Sequence, residues 1–345
     1  MREPLVAGQA TDTDYPRLLF TNPTINHPYL KGVDRMHLIL TEVKLFTLLL
    51  ISICGIFTSA QASLMATLTH GSEIKLFYSA NALKEAYAAA QDGDVITLSP
   101  GTFNATDFTS KKVTVRGAGM MPDSNPTVIF GATHIDIPQT GENKNFRMIF
   151  EDMYFPYTLQ YTKLIDFAFI KCNIYDLTYY GRSNIDNGLF IHCVLNDCFI
   201  RGKGSFTYVS CIIRKGNYST GKHSFFNCDI INCNSIGNWY KNCLFVYDFD
   251  NSNSLRPATQ INCYYIGPCP NFFSYMSYTS NTSLPAGTPV FKESRDSYEL
   301  LGENAAAWLG TDGTQVGIYG GPLPFGSAIT NSKITELDVY KKVAL

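Results

Sequence analysis

Six of the ten cysteines, Cys172, Cys193, Cys211, Cys228, Cys243 and Cys263, stand in one recurring local setting at separations of 21, 18, 17, 15 and 20 residues. A loose period of this kind arises when short strands are joined by turns of unequal length and one inward position is refilled each time the chain winds forward. The pattern predicts a parallel β-helix. Aligned on the cysteine, the segments 169–174, 190–195, 208–213, 225–230, 240–245 and 260–265 form the repeat, and Met153 fills the cysteine slot one rung earlier. Strict strand alternation places the residues two before and two after each cysteine inside with it. These are nearly all apolar, with Lys241 as the exception. The residue just before the cysteine (Lys171, His192, Ser210, Asn227, Asn242, Asn262) is then expected to face solvent.

The 345 residues are 45% hydrophobic, enough for a large core, while 16% charged is low and 13% aromatic is high. A solenoid accounts for both, because stacked rungs expose few long helical faces and their turns use Asn, Gly, Ser and Tyr. A formal net charge of -2 without a basic run leaves no electrostatic footprint for nucleic acid.

The uncharged run Leu45–Phe57, after Lys44 and before Ala60-Gln-Ala62, has the length and flanks of a signal peptide. It is shorter than the roughly 20 residues a membrane span needs. Residues 36–62 are therefore read as a signal peptide cleaved before Ser63, and 1–35 as a disordered or non-native extension. Residues 63–326 form the β-helix domain and 327–345 a tail. Two competing readings are a membrane anchor over 45–66 and a lipoprotein site at Cys54. Each places the bulk of the chain outside the cytoplasm, as a periplasmic, cell-surface or secreted protein, and membrane contact arises only through an uncleaved N-terminal segment.

Loss of Cys54 leaves nine cysteines, so complete intramolecular pairing is excluded. A column of thiols with parallel Cβ vectors suits packing better than disulfide bonding, and mostly reduced thiols are expected. The states of Cys198, Cys233 and Cys269 stay open. A one-per-rung column is the wrong shape for a tetrahedral metal site.

Residues 79–93, alanine-rich and closed by Gly93, predict a helix laid across the first rung. Leu83-x-x-Ala86, followed by Gly93-Asp-Val-Ile-Thr-Leu-Ser-Pro-Gly-Thr-Phe103, resembles the opening of the pectate-lyase-like superfamily, and 296–321 is similar to the closing segment of its exported bacterial members. The likeness spans about residues 75–325. It implies an all-β, right-handed, single-stranded parallel β-helix with an N-terminal capping helix. Handedness rests on this resemblance alone. The superfamily contains lyases, hydrolases, epimerases and adhesins, so the resemblance implies fold rather than activity.

Asp176, Asp197 and Lys215 each lie four residues after a repeated cysteine, with Asn232 continuing the series. If the register holds, two carboxylates about one rung apart beside an amine could hold Ca²⁺ or supply an acid and a base. Uronate lyases of the resembling fold use a comparable set, but their Trp-x-Asp-His and Arg-x-Pro-x-x-Arg elements are absent. The plainer reading makes these residues turn formers. Phe169, Phe190, Tyr208, Phe225 and Tyr240, three before the cysteine, form an aromatic column that alternation turns outward, where it could stack on sugar rings, or that packs inside at a corner. His134, His192 and His223 have no nucleophile or metal pattern, and His192 is expected at the surface. Asn104, Asn217 and Asn281 begin glycosylation-like triplets.

The expected function is exported binding or scaffolding toward polysaccharide. A lyase or glycoside hydrolase acting on an acidic glycan is the first alternative. The second is a purely structural surface protein that self-associates through exposed edges.

Overall fold

The computed structural model describes residues 63–138, 144–164, 166–179, 185–233, 239–246, 259–267, 277–279, 281–285, 287–292 and 298–327. The chain enters through an antiparallel hairpin, β1 (Met65–His70) and β2 (Glu73–Tyr78), and β1 also pairs with β3 (Val95–Leu98). Between β2 and β3 lies α1 (Ala82–Ala89), which buries Ala82, Leu83, Ala86 and Tyr87 in the same core cluster as Ile96 and Leu98. From β3 onward every strand pairing is parallel, which demands a crossover between partners and here produces an all-β parallel solenoid of about 7 turns.

Two ladders run along the solenoid. In the first, Glu151, Ile170, Ile191, Val209, Phe226, Lys241 and Ile261 follow one another in register. In the second, Ile174, Leu195, Ile213, Ile230, Phe245 and Tyr265 do so. Between the ladders lies the residue before the cysteine. Asp152, Lys171, His192, Ser210, Asn227, Asn242 and Asn262 all have φ between 48° and 55°. Among residues other than glycine, this left-handed conformation is least costly for Asn and Asp, whose short polar side chains tolerate it, and Asn occupies it on three of these rungs.

That one corner residue overturns the strict alternation expected across the cysteine. A left-handed residue turns the strand, so the positions three before and zero from the cysteine both point inward. Phe169, Phe190, Tyr208, Phe225 and Tyr240 are therefore interior and buried, not outward. They stack ring on ring with Phe150 at centroid separations of 5.0, 5.4, 4.9, 4.5 and 5.0 Å and nearly parallel planes. The residues two before the cysteine point out instead, and Ile170, Ile191, Val209 and Phe226 form a separate outer cluster. Lys241 is consequently no violation, because it sits half-buried in that outer row.

The cysteine column is as the spacing predicted. Met153 pairs with Cys172, and the six repeated cysteines are buried and free, as are Cys198 and Cys233. Their thiols donate to interior carbonyls, as Cys193 Sγ does to Phe169 O at 3.3 Å and Cys211 Sγ to Phe190 O at 3.4 Å. Burial pushes the Cys172 thiol up and Cys233 to about 12, so these cysteines behave as small apolar side chains. Cys54 and Cys269 lie outside the described residues, as do residues 36–62, read above as a signal peptide, and residues 328–345.

Candidate functional site

The corner residues were expected at the surface, but on four rungs they are buried: His192, Ser210, Asn227 and Asn242. The cover is the irregular segment 308–325, which lies along the corner. His192 Nε2–H and Ser210 Oγ–H both donate to Leu323 O, at 3.0 and 2.5 Å. Asn242 accepts the Thr311 N–H at its Oδ1 and the Gly317 N–H at its backbone oxygen, each at 2.9 Å. Glycine permits the close approach. Gly317 has φ +77°, and a Cβ there would stand 2.2 Å from Asp229 Oδ1. Leu323 closes the outer cluster of Ile170, Ile191 and Val209, while Trp308 and Val316 pack with Leu244 and Ile266. Beneath this cover Asp229 is buried, its Oδ1 accepting the Ile318 N–H at 3.3 Å. Burial holds its carboxyl well above the usual carboxylate range.

The register does bring the acidic column together. Leu195 faces Ile174 and Phe199 faces Thr178, so Asp197 and Asp176 occupy matching positions on adjacent rungs. Lys215 continues the column, its backbone following Asp197 as Ile213 follows Leu195. Asp197, Lys215 and Asn232 form a second left-handed corner, with φ of 48°, 51° and 51°, and each N–H donates to the next rung. Asp176 instead lies within a strand. Its carboxylate accepts Thr158 Oγ1–H at 2.7 Å and Thr178 Oγ1–H at 2.6 Å. No ion pair joins the three side chains among the described residues, and no group of three His, Cys, Asp or Glu there could hold a metal ion.

The interior stack leaves no ring face for a sugar, yet another aromatic row does. On the outer side of the second ladder stand Phe130, Tyr157 and Tyr175, exposed by 53%, 43% and 53%. Each follows closely on a residue that fills the interior: Ile129, Phe155 and Ile174. Phe130 and Tyr157 meet edge to face with centroids 5.0 Å apart. Thr158 pairs with Asp176 just past a register shift that begins at Phe155, so Tyr157 and Tyr175 lie on adjacent rungs. Asn104, in register with Phe130, extends the row at one end. At the other, Asn196 Nδ2 reaches Asn173 Oδ1 at 3.4 Å. The row was readable from the sequence, because Tyr175 lies three past Cys172 where alternation resumes outward.

A second polar feature escaped the sequence reading. His70 Nδ1 lies 2.6 Å from Asp94 Oδ1, and Asp94 Oδ2 accepts the Gln91 N–H at 2.8 Å. They line a cavity of about 60 Å³ with Leu68, Glu73, Lys75 and Ala89. At about 30 Å³ per water this holds water molecules rather than a sugar ring. The Asp94 pairing fixes the hairpin end to the turn before β3. His134 lies in the strand Thr133–Ile137, and His223 stacks inside on Phe206 at 5.1 Å.

Comparison with protein families, with curated proteins and with solved structures finds no match to this chain.

Proposed function

We propose that this chain is an exported, right-handed parallel β-helix of the pectate-lyase-like kind that binds carbohydrate along its outer aromatic row. The observation that carries the reading is the run of exposed rings, Phe130, Tyr157 and Tyr175, on adjacent rungs. Rungs repeat at about 4.8 Å, so the three exposed rings form an apolar strip across neighbouring rungs against which a saccharide can pack. Asp176, Thr158, Asn173 and Asn196 lie beside the row and suit the hydroxyl groups such a ligand presents.

Binding is favoured over catalysis because both oxygens of Asp176, the carboxylate nearest the rings, are held by threonine hydroxyls. Export rests on the Leu45–Phe57 run. Among the described residues no helix is long and apolar enough to cross a membrane. In the same reading α1 caps the first rung. One observation favours a second function: the shared register of Asp176, Asp197 and Lys215 fits a Ca²⁺-assisted lyase acting on an acidic glycan.

A panel of neutral and acidic polysaccharides, incubated with the protein with and without Ca²⁺, tests both. Binding without new unsaturated or reducing ends, lost in Tyr157→Ala/Tyr175→Ala, is the expected result. Ca²⁺-dependent product that disappears in Asp197→Ala would replace the binding reading with the lyase, and neither binding nor product would reject both.

A further inference from the structure

Among the described residues, β2 of the hairpin at the start of the solenoid pairs with β1 alone and leaves its other edge unpaired. Ile74, Leu76 and Tyr78 are exposed by 65%, 50% and 56%, whereas Phe77, on the opposite side of β2, packs against the main core. The phase of the backbone bonds can be fixed. Ser79 N–H donates to Leu64 O, and Ser99 N–H donates to Met65 O. With the register of β1 on β2, this means that Glu73, Lys75 and Phe77 direct their backbone groups to β1. Ile74, Leu76 and Tyr78 turn theirs to the open edge, so the free donors and acceptors and the bare apolar side chains belong to the same three residues. Natural edge strands are blunted by proline, bulges or several charges. Here β2 has neither proline nor bulge, its register with β1 is unbroken, and its two charges, Glu73 and Lys75, alternate with Ile74, Leu76 and Tyr78 onto the other side of the strand.

We propose that β2 pairs antiparallel with β2 of a second copy of this chain, about a two-fold axis at Leu76. In that register Leu76 faces its own copy and Ile74 faces Tyr78, an aliphatic-aromatic cross-strand pair on both sides of the axis. Lys75 falls opposite Phe77 and Glu73 opposite Ser79, so no like charges oppose. Each of the three outward residues forms a hydrogen-bonded pair, and every partner meets the same surface it presents, as an isologous interface requires. One strand pair is small beside the roughly 1,600 Å² of a standard interface, so the dimer is concentration-dependent.

Sedimentation velocity of the full chain over a concentration series tests this, together with Leu76→Lys, Leu76→Cys and Ile74→Cys. A hydrogen-bonded antiparallel pair sets Cα atoms about 5.5 Å apart, within disulfide reach. The expected result is a reversible dimer that Leu76→Lys abolishes with the melting temperature unchanged. Under mild oxidation Leu76→Cys forms a covalent dimer and Ile74→Cys does not. A monomer at all concentrations overturns the proposal, including one whose edge is covered by residues 1–62. A dimer insensitive to Leu76→Lys belongs to another surface and overturns it equally, as does equal cross-linking at 74 and 76.

Discussion

The two outer faces of the solenoid are built on the same rungs and have opposite fates. Along the first corner, segment 308–325 lies over His192, Ser210, Asn227 and Asn242, and the side chains there are consumed by packing and backbone bonds. Along the second ladder, Phe130, Tyr157 and Tyr175 remain about half exposed. A parallel rung fixes which positions point outward but not what they meet. Burial therefore separates residues that hold the molecule together from residues free to meet a ligand, even where both are polar or aromatic.

The sharpest way to break this contrast is to remove the cover's apolar contact. Leu323→Ala is expected to cost about 2–5 kcal/mol, the range for buried leucine truncation, read as a lower urea midpoint. If it costs no more than a surface change, the segment does not seal the corner.

Asp229 sharpens the comparison because it is a carboxyl on the covered side. It faces Ile212 and Leu244 on the neighbouring rungs, the Cys243 thiol, and Gly317, Ile318 and Tyr319 of the cover. Its folded pKa is raised, so the folded state binds the proton more tightly than the unfolded chain. Stability is then fully present below the unfolded value near 3.9 and is lost as pH rises toward the folded pKa. Asp229→Asn should gain about 1–3 kcal/mol at neutral pH and flatten that decline, as followed by thermal melts across pH.

The corners offer a matched pair. Asn242→Gly keeps the left-handed backbone but removes the acceptor for Thr311 N–H, at a cost of about 1–2 kcal/mol. Lys215→Gly, at an exposed corner with φ of 51°, should stay within about 0.5 kcal/mol of the parent. Equal costs by chemical denaturation would erase the distinction between covered and open corners. Tyr175→Ala should have the smallest effect on stability, under about 0.5 kcal/mol, because more than half of the residue is already in water.

The spacing of Cys172 to Cys263 was sufficient to read the rungs and their interior thiols, because a buried column repeats regardless of turn length. Of the two readings of the aromatic column, burial supports packing inside at a corner, and strict alternation pointed outward for a local reason. A single left-handed residue such as Asn227 or Lys171 shifts the phase by one, and period-2 reasoning carried the wrong phase back to Phe169 and Tyr208. The cover was illegible for a different reason. Segment 308–325 is rich in glycine and has no periodicity, and its partners Asn242 and Asp229 lie far away in sequence. The acidic column was placed correctly in register, but that Asp176 is occupied by Thr158 and Thr178 depends on a neighbouring rung.

The most direct test of the open aromatic face is titration of a saccharide selected from the polysaccharide panel into three proteins: the parent, Tyr157→Ala/Tyr175→Ala, and Tyr240→Phe in the interior stack. The account predicts a loss of affinity of about five- to 150-fold in the first variant, the equivalent of about 1–3 kcal/mol for two lost stacking contacts. It predicts parental affinity in the second. Unchanged binding without the two exposed rings, or a loss caused by the interior change alone, would contradict it.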